Sequence, residues 1–216
     1  MTRLFSFFLI VLLSSNAVAS NSQSNTLLVL GDSLSAGYQM AIEDSWPSLL
    51  PNELQKQASL INNQPVTVIN GSISGDTTGN GLARLPELLN QHKPNWVIIE
   101  LGANDGLRGF PPQLIKKNLT SLIQMSKDAG AHIALMQIQV PPNYGKRYSK
   151  AFYEIYPAIA EEQSVPLLPF FLEYVIQQPS WMMNDGLHPK PIAQPWIARF
   201  VAQELVNIPD FTGLAQ

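Results

Sequence analysis

The chain has 216 residues, 45% hydrophobic and only 13% charged, which suffices for a domain with a sizeable core and is too apolar to stay disordered. Its 13 lysines and arginines stand against 16 acids for a formal net charge of −3, and they form no basic run, so binding driven by phosphate neutralisation is excluded. The absence of cysteine excludes disulfide scaffolds, thiolate metal sites and cysteine nucleophiles.

Residues 1–19 read as a secretory signal peptide. Arg3 supplies the positive start, residues 4–13 the short apolar core, and Ala17-Val18-Ala19 the small-x-small cleavage pattern. The apolar run is far shorter than the ~20 residues a spanning helix needs. No cysteine follows for lipid anchoring. The expectation is a periplasmic or secreted protein, cleaved near Ala19, with residues 20–216 as one domain. It is expected to be a monomer without stable membrane insertion and with no nucleic-acid partner.

In chain order, residues 26–30 (TLLVL) predict a first strand, then a Gly/Ser loop and a helix over 46–60. A second strand over 66–69 precedes a helix carrying Leu82, Leu85, Leu88 and Leu89. A third over 96–101 (WVIIEL) ends in a Gly/Asn loop before a helix over 113–129. A fourth over 132–140 ends at Pro141-Pro142, with a helix over 147–163 behind it. A short fifth strand over 165–168 and a last helix over 192–206 complete the pattern. Strands without alternation, separated by helices, predict a parallel sheet buried on both faces. The class is α/β, three-layer and doubly wound. The 17 prolines are expected mostly at segment ends.

Ligands in such sheets bind at the carboxyl ends of the strands, which selects residues 31–37, 70–79, 102–109 and 141–145. The first of these reads Gly31-Asp32-Ser33-Leu34-Ser35. A serine there is open to the crevice, and its hydroxyl becomes a nucleophile only beside a base. By itself the segment is equally a capping turn. Of three histidines, His92 lies at a polar helix end and His132 opens a strand on the far side. His188 lies in Asn184-Asp185-Gly186-Leu187-His188-Pro189, before the last helix. Asp185, three residues earlier, can reach Nδ1 of that imidazole, or can instead cap backbone N–H groups. Oxyanion donors are available at Gly75 in Ser74-Gly75-Asp76 and at the amide of Asn104 in Gly102-Ala103-Asn104-Asp105. Each has an ordinary loop role as well. Together, Gly-Asp-Ser, Gly-x-Asn-Asp and Asp-x-x-His-Pro meet by chance roughly once in a hundred thousand chains of this length.

These blocks, GDSLS, SISGD, GAND and DGLHP, resemble those of the SGNH, or GDSL, hydrolase family, over nearly all of residues 25–206. The resemblance implies a flavodoxin-like sheet of about five parallel strands, the SGNH hydrolase fold. It implies hydrolysis of small acyl esters and thioesters (aryl esters, lysophospholipids, acyl-CoA) with no cofactor and no metal. Ser33 would be the nucleophile, His188 the base and Asp185 its orienter. The Ser33 N–H, the Gly75 N–H and the Asn104 side chain would form the oxyanion hole.

An acyl group needs an apolar wall. Leu107, Phe110 and Pro111 follow the Asn104 loop, and Pro142 and Tyr144 follow the fourth strand, so these are the expected substrate-binding residues. Asp32 and Asp76 are read as loop-organising groups. The Gly-x-Ser-x-Gly elbow, a complete dinucleotide fingerprint, the Walker A loop and His-Glu-x-x-His are all absent. The alternatives are a carbohydrate O-acetylesterase of the same family and a non-catalytic acyl-chain-binding protein.

Overall fold

The computed structural model describes residues 25–57 and 65–212. The expected signal peptide and the end of the helix expected over 46–60 lie outside the described residues. Five strands, β1 (Asn25–Gly31), β2 (Val66–Asn70), β3 (Trp96–Glu100), β4 (His132–Met136) and β5 (Leu167–Leu168), form one parallel sheet in the order β2-β1-β3-β4-β5. Continuous apolar runs produce this arrangement because both faces are covered; every residue of β3 is buried.

The helices are α1 (Trp46–Gln55), α2 (Thr78–His92), α3 (Ala103–Leu107), α4 (Pro112–Asp128), α5 (Lys146–Gln163), α6 (Leu172–Val175), α7 (Gln194–Val206) and α8 (Pro209–Thr212). One layer pairs α1 with α7, and the other sets α4 between α2 and α5. The face of α4 that enters the core carries Ile115, Leu119, Leu122 and Ile123, at helical spacing. Its partner α2 starts at a capping box, with Thr77 and Asn80 bonding each other's backbone N–H.

The structure refines the expected elements at three places. The strand expected over 132–140 ends at Met136, because β5 supplies only two residues of partner; the last bond along it runs from Gln137 N–H to Leu168 O (2.9 Å). Residues 137, 138 and 140 stay buried without a ladder, and the alternation Gln137-Ile138-Gln139-Val140 mimics a strand. Most prolines do sit at segment ends, but Pro51, Pro86 and Pro157 lie inside α1, α2 and α5. Residues 103–107, expected as loop, form the short α3.

Strand order reverses direction at β1, whose neighbours are β2 on one side and β3 on the other. The crevice of a doubly wound sheet opens at that point. Register pairs Gly31 with Glu100, so the loops after β1 and β3 leave the sheet at the same level.

Candidate active site

The loop after β1 is wound by bonds from the N–H groups of Ser35 (3.2 Å) and Ala36 (2.9 Å) to Asp32 O. It is anchored from beneath by Glu100, whose Oε2 accepts from Ser35 Oγ (2.7 Å) and from the Asp32 N–H (3.3 Å). Gly31 is required for this approach, since a Cβ there would stand 2.6 Å from the same carboxylate oxygen. The half-buried Ser33 is thereby held at the crevice floor.

A hairpin over 182–189 carries His188. Met182 and Pro189 bridge antiparallel, Met183 N–H donates to His188 O (2.8 Å), and Lys190 N–H to Trp181 O (2.6 Å). The Trp181 ring packs against Trp196 of α7, with centroids 5.9 Å apart, which braces the hairpin on the helical layer. His188 Nε2 then lies 2.7 Å from Ser33 Oγ, and His188 Nδ1 lies 2.7 Å from Asp185 Oδ2. Asp185 Oδ1 meanwhile accepts from the N–H groups of Leu187 (2.9 Å) and His188 (3.0 Å). The two sequence readings of Asp-x-x-His are therefore both realised, one on each carboxylate oxygen. Desolvation, the largest single influence, raises the Asp185 carboxyl, but the two backbone donors and the His188 ring together outweigh it and bring it down to about 2. With Nδ1–H given to a carboxylate, Nε2 is the acceptor for the serine proton. His132 stacks on Trp96 at the start of β4, at the opposite end of the sheet.

The three expected oxyanion donors sit on the segments that follow β1, β2 and β3. The N–H groups of Ser33 and Gly75 donate to no acceptor among the described residues. Gly75 adopts φ 86°, a left-handed value that favours glycine, and Arg108 Nη2 holds its carbonyl (3.2 Å). The Asn104 Nδ2 donates to Asp32 Oδ2 (3.1 Å) and Asp76 O (3.0 Å). Both amide hydrogens are thus engaged, so an oxyanion must share one in a three-centre bond or displace the Asp76 carbonyl.

Asp32 and Asp76 organise these loops. Asp32 also accepts from Leu34 N–H (3.0 Å), and Asp76 pairs with Arg84 Nε (3.0 Å). Sequence reasoning missed two carboxyls beside them. Glu100 is fully buried with Oε1 unbonded, and burial, then the nearby Asp32 charge, push its carboxyl well above the usual range. Burial likewise pushes Asp32 up to about 7, against the lowering effect of its Leu34 and Asn104 donors. The pair therefore holds one charge more readily than two. A lone acid closing the apolar run WVIIEL was the available signal. Asp105, also buried and raised by burial, accepts from Thr78 N–H (2.8 Å) and Thr78 Oγ1 (2.6 Å), which joins α3 to the start of α2.

The expected substrate loops are tied together. Tyr144 Oη donates to Leu107 O (2.9 Å), and Tyr148 Oη to Phe110 O (2.7 Å). A pocket of about 490 Å³ beside them is lined by Pro112, Tyr144, Gly145, Arg147, Tyr148 and Ala151, among others. Of the five expected residues only Tyr144 lines it. Leu107, Phe110, Pro111 and Pro142 do not; Phe110 packs against the core, and Pro111 and Pro142 are exposed. Among the described residues no cluster of three or more His, Asp or Glu is arranged to hold a metal.

Compared with known proteins, residues 29–194 match the model of the GDSL-like Lipase/Acylhydrolase family. An arylesterase of Vibrio mimicus is 67% identical over 207 residues, spanning 96% of this chain and 99% of that protein. The thioesterase 1/protease 1/lysophospholipase L1 of Escherichia coli (strain K12) is 52% identical over 199 residues, 92% of this chain and 90% of that one. Among solved structures, the psychrotrophic esterase EstA from Pseudoalteromonas sp. superposes with a TM-score of 0.78 at 43% identity, covering 85% of this chain and 98% of its own. A structure of TesA gives 0.75 at 46% identity, covering 83% and 97%.

Proposed function

Because the chain belongs to the GDSL-like lipase/acylhydrolase family, we propose that it cleaves acyl esters and thioesters through an acyl-enzyme on Ser33, with His188 and Asp185 completing a triad. It is a carboxylic ester and thioester hydrolase; aryl esters, thioesters and lysophospholipids are the substrates inferred from its relatives, with acyl-CoA the thioester that the family resemblance implies. The observation that carries the mechanism is the unbroken line Ser33 Oγ–His188 Nε2 and His188 Nδ1–Asp185 Oδ2, each contact 2.7 Å.

In the first half, Ser33 Oγ attacks the acyl carbon while Nε2 takes its proton. The carbonyl oxygen becomes an oxyanion facing the Ser33 and Gly75 N–H groups and the Asn104 amide. As the tetrahedral adduct collapses, His188 returns the proton to the departing alcohol or thiol. Water then attacks the acyl-enzyme with His188 again as base, and the acid leaves as Ser33 recovers its proton. The acyl chain would lie along the loops joined by Tyr144 and Tyr148.

Export follows from the signal-peptide pattern of residues 1–19, and among the described residues no helix is long and apolar enough to cross a membrane. The test is hydrolysis of p-nitrophenyl esters from acetyl to palmitoyl by the protein and its Ser33→Ala variant. The expected result is a drop on the order of a million-fold in Ser33→Ala, with the peak rate at medium or long chains. Activity confined to acetate would move the assignment to an O-acetylesterase. Equal rates for both proteins would leave only an acyl-chain-binding protein.

A further inference from the structure

We propose that Tyr38 is a positioning residue for the reaction: its ring forms the backstop of the His188 imidazole and stabilises the imidazolium that forms in each half-reaction. The inference rests on the triad reading above and adds a fourth member to it.

The geometric need is plain. Two hydrogen bonds, at Nδ1 and Nε2, fix two points of the imidazole, and both lie in its plane. With only the Cβ–Cγ bond as a third anchor, small rolls about the line between Asp185 and Ser33 remain open through the side-chain torsions. Rolling turns the Nε2 lone pair away from the serine proton, and hydrogen bonds weaken steeply with such misalignment. The triad is partly open to solvent, with the Asp185 side chain 37% exposed and that of His188 17%. Water at Asp185 also screens its charge, so the carboxylate supports the imidazolium less than a buried one would.

Tyr38 meets this need from the nucleophile's own loop. Its ring stacks on the imidazole with centroids 4.1 Å apart and planes 29° from parallel. A ring on one face blocks the roll that the two in-plane bonds permit. The face of an aromatic ring also attracts a cation, and this attraction is not lost to solvent at the covered face. The backbone is shaped for this placement: the next residue, Gln39, is a non-glycine at φ 54°, a conformation that carries a local energetic penalty. The Gln39 side chain then donates from Nε2 to Tyr38 Oη (3.0 Å), which turns the hydroxyl toward its neighbour and leaves the ring as the part that acts on His188.

The test compares Tyr38→Leu, Tyr38→Phe and Ser33→Ala with the parent protein on one p-nitrophenyl ester. Tyr38→Leu is expected to lower kcat roughly tenfold with KM held within twofold, and Tyr38→Phe to restore kcat to within threefold. In the resting enzyme the His188 ring-proton resonances, shielded by the stacked ring, are expected to move downfield in Tyr38→Leu and to stay in Tyr38→Phe. That shift checks the stack itself, while the loss of kcat at constant KM and its rescue by Tyr38→Phe separate positioning from a merely structural role. The proposal is overturned by a Tyr38→Leu kcat within twofold of the parent, by a rise in KM at constant kcat, or by Tyr38→Phe falling as far as Tyr38→Leu. Should Tyr38→Leu not fold, Tyr38→Met, unbranched at Cβ and of similar length, carries the same comparison. Ser33→Ala separates the two levels: if it stays active the triad reading fails, whereas an inactive Ser33→Ala beside an unaffected Tyr38→Leu removes Tyr38 alone.

Discussion

Asp185→Asn isolates the tautomer from the architecture of the hairpin. In the native side chain Oδ1 accepts two backbone N–H bonds and Oδ2 accepts from His188 Nδ1. An asparagine keeping Oδ1 in place presents Nδ2–H to Nδ1. The imidazole must then accept at Nδ1 and carry its proton on Nε2, which points a hydrogen at Ser33 and abolishes the base. The amide can rotate to offer Oδ1 to Nδ1 instead. That rotation leaves two backbone N–H groups unpaired and facing amide hydrogens, at about 1 kcal/mol or more each. A penalty of about 2–3 kcal/mol sets the smallest expected loss at roughly 30- to 150-fold. The tautomer trapped outright, as in serine proteases, corresponds to a loss of roughly 10⁴-fold. We therefore expect kcat to fall between these limits at neutral pH. Thermal stability should fall only modestly, since the retained orientation keeps both backbone bonds and only the carboxylate's charge is lost. The assay is kcat on a p-nitrophenyl ester, with a melting curve to show that the variant is folded. A folded variant within tenfold of the parent would refute the role given to Asp185.

Three further outcomes follow from the site. Removing an oxyanion donor in Asn104→Ala should lower kcat by roughly 10²–10³-fold while KM changes little, and a loss below fivefold would argue against that donor. In Gly31→Ala the new Cβ would stand 2.6 Å from Glu100 Oε2 and 2.9 Å from Ser35 Oγ; overpacking of this kind should cost about 1–3 kcal/mol in denaturant unfolding, and an unchanged midpoint would contradict it. The buried carboxyls set a pH dependence. Asp32, raised to about 7, and Glu100, raised well above its usual value, hold protons that the unfolded chain releases from about pH 4 upward. The native state then binds more protons than the unfolded one, so this contribution to stability is full below about pH 4 and declines as pH rises toward 7. Glu100→Gln should flatten that decline, and an identical slope in parent and variant would count against it. Asp185 acts with the opposite sign: its stabilisation is present above about pH 4 and is lost as pH falls toward 2.

Much of this protein was determined by its sequence alone. Apolar runs of strand length, each followed by helical spacing, state the parallel sheet, because only a strand covered on both faces drops its polar alternation. The strand-end loops holding Ser33, Gly75 and Asn104, and the Asp-x-x-His segment of Asp185 and His188, were legible as candidates because nucleophilic catalysis calls for particular residue types in such patterns. Only the tertiary structure decided the rest. Asp185 serves ring and backbone together, and whether it does one or both depends on how the hairpin over 182–189 turns. Glu100 lies 65 positions from Ser35 yet anchors it, since β1 and β3 are neighbours in the sheet and far apart in the chain. Tyr38 sits 150 residues before His188 and stacks on it, a contact no local pattern encodes. Composition says likewise only that the loops are apolar; the bonds from Tyr144 to Leu107 O and from Tyr148 to Phe110 O that tie them together come from the tertiary fold. Spacing along the chain reports what a backbone can do locally, whereas contacts across a sheet depend on which distant segments the core brings side by side.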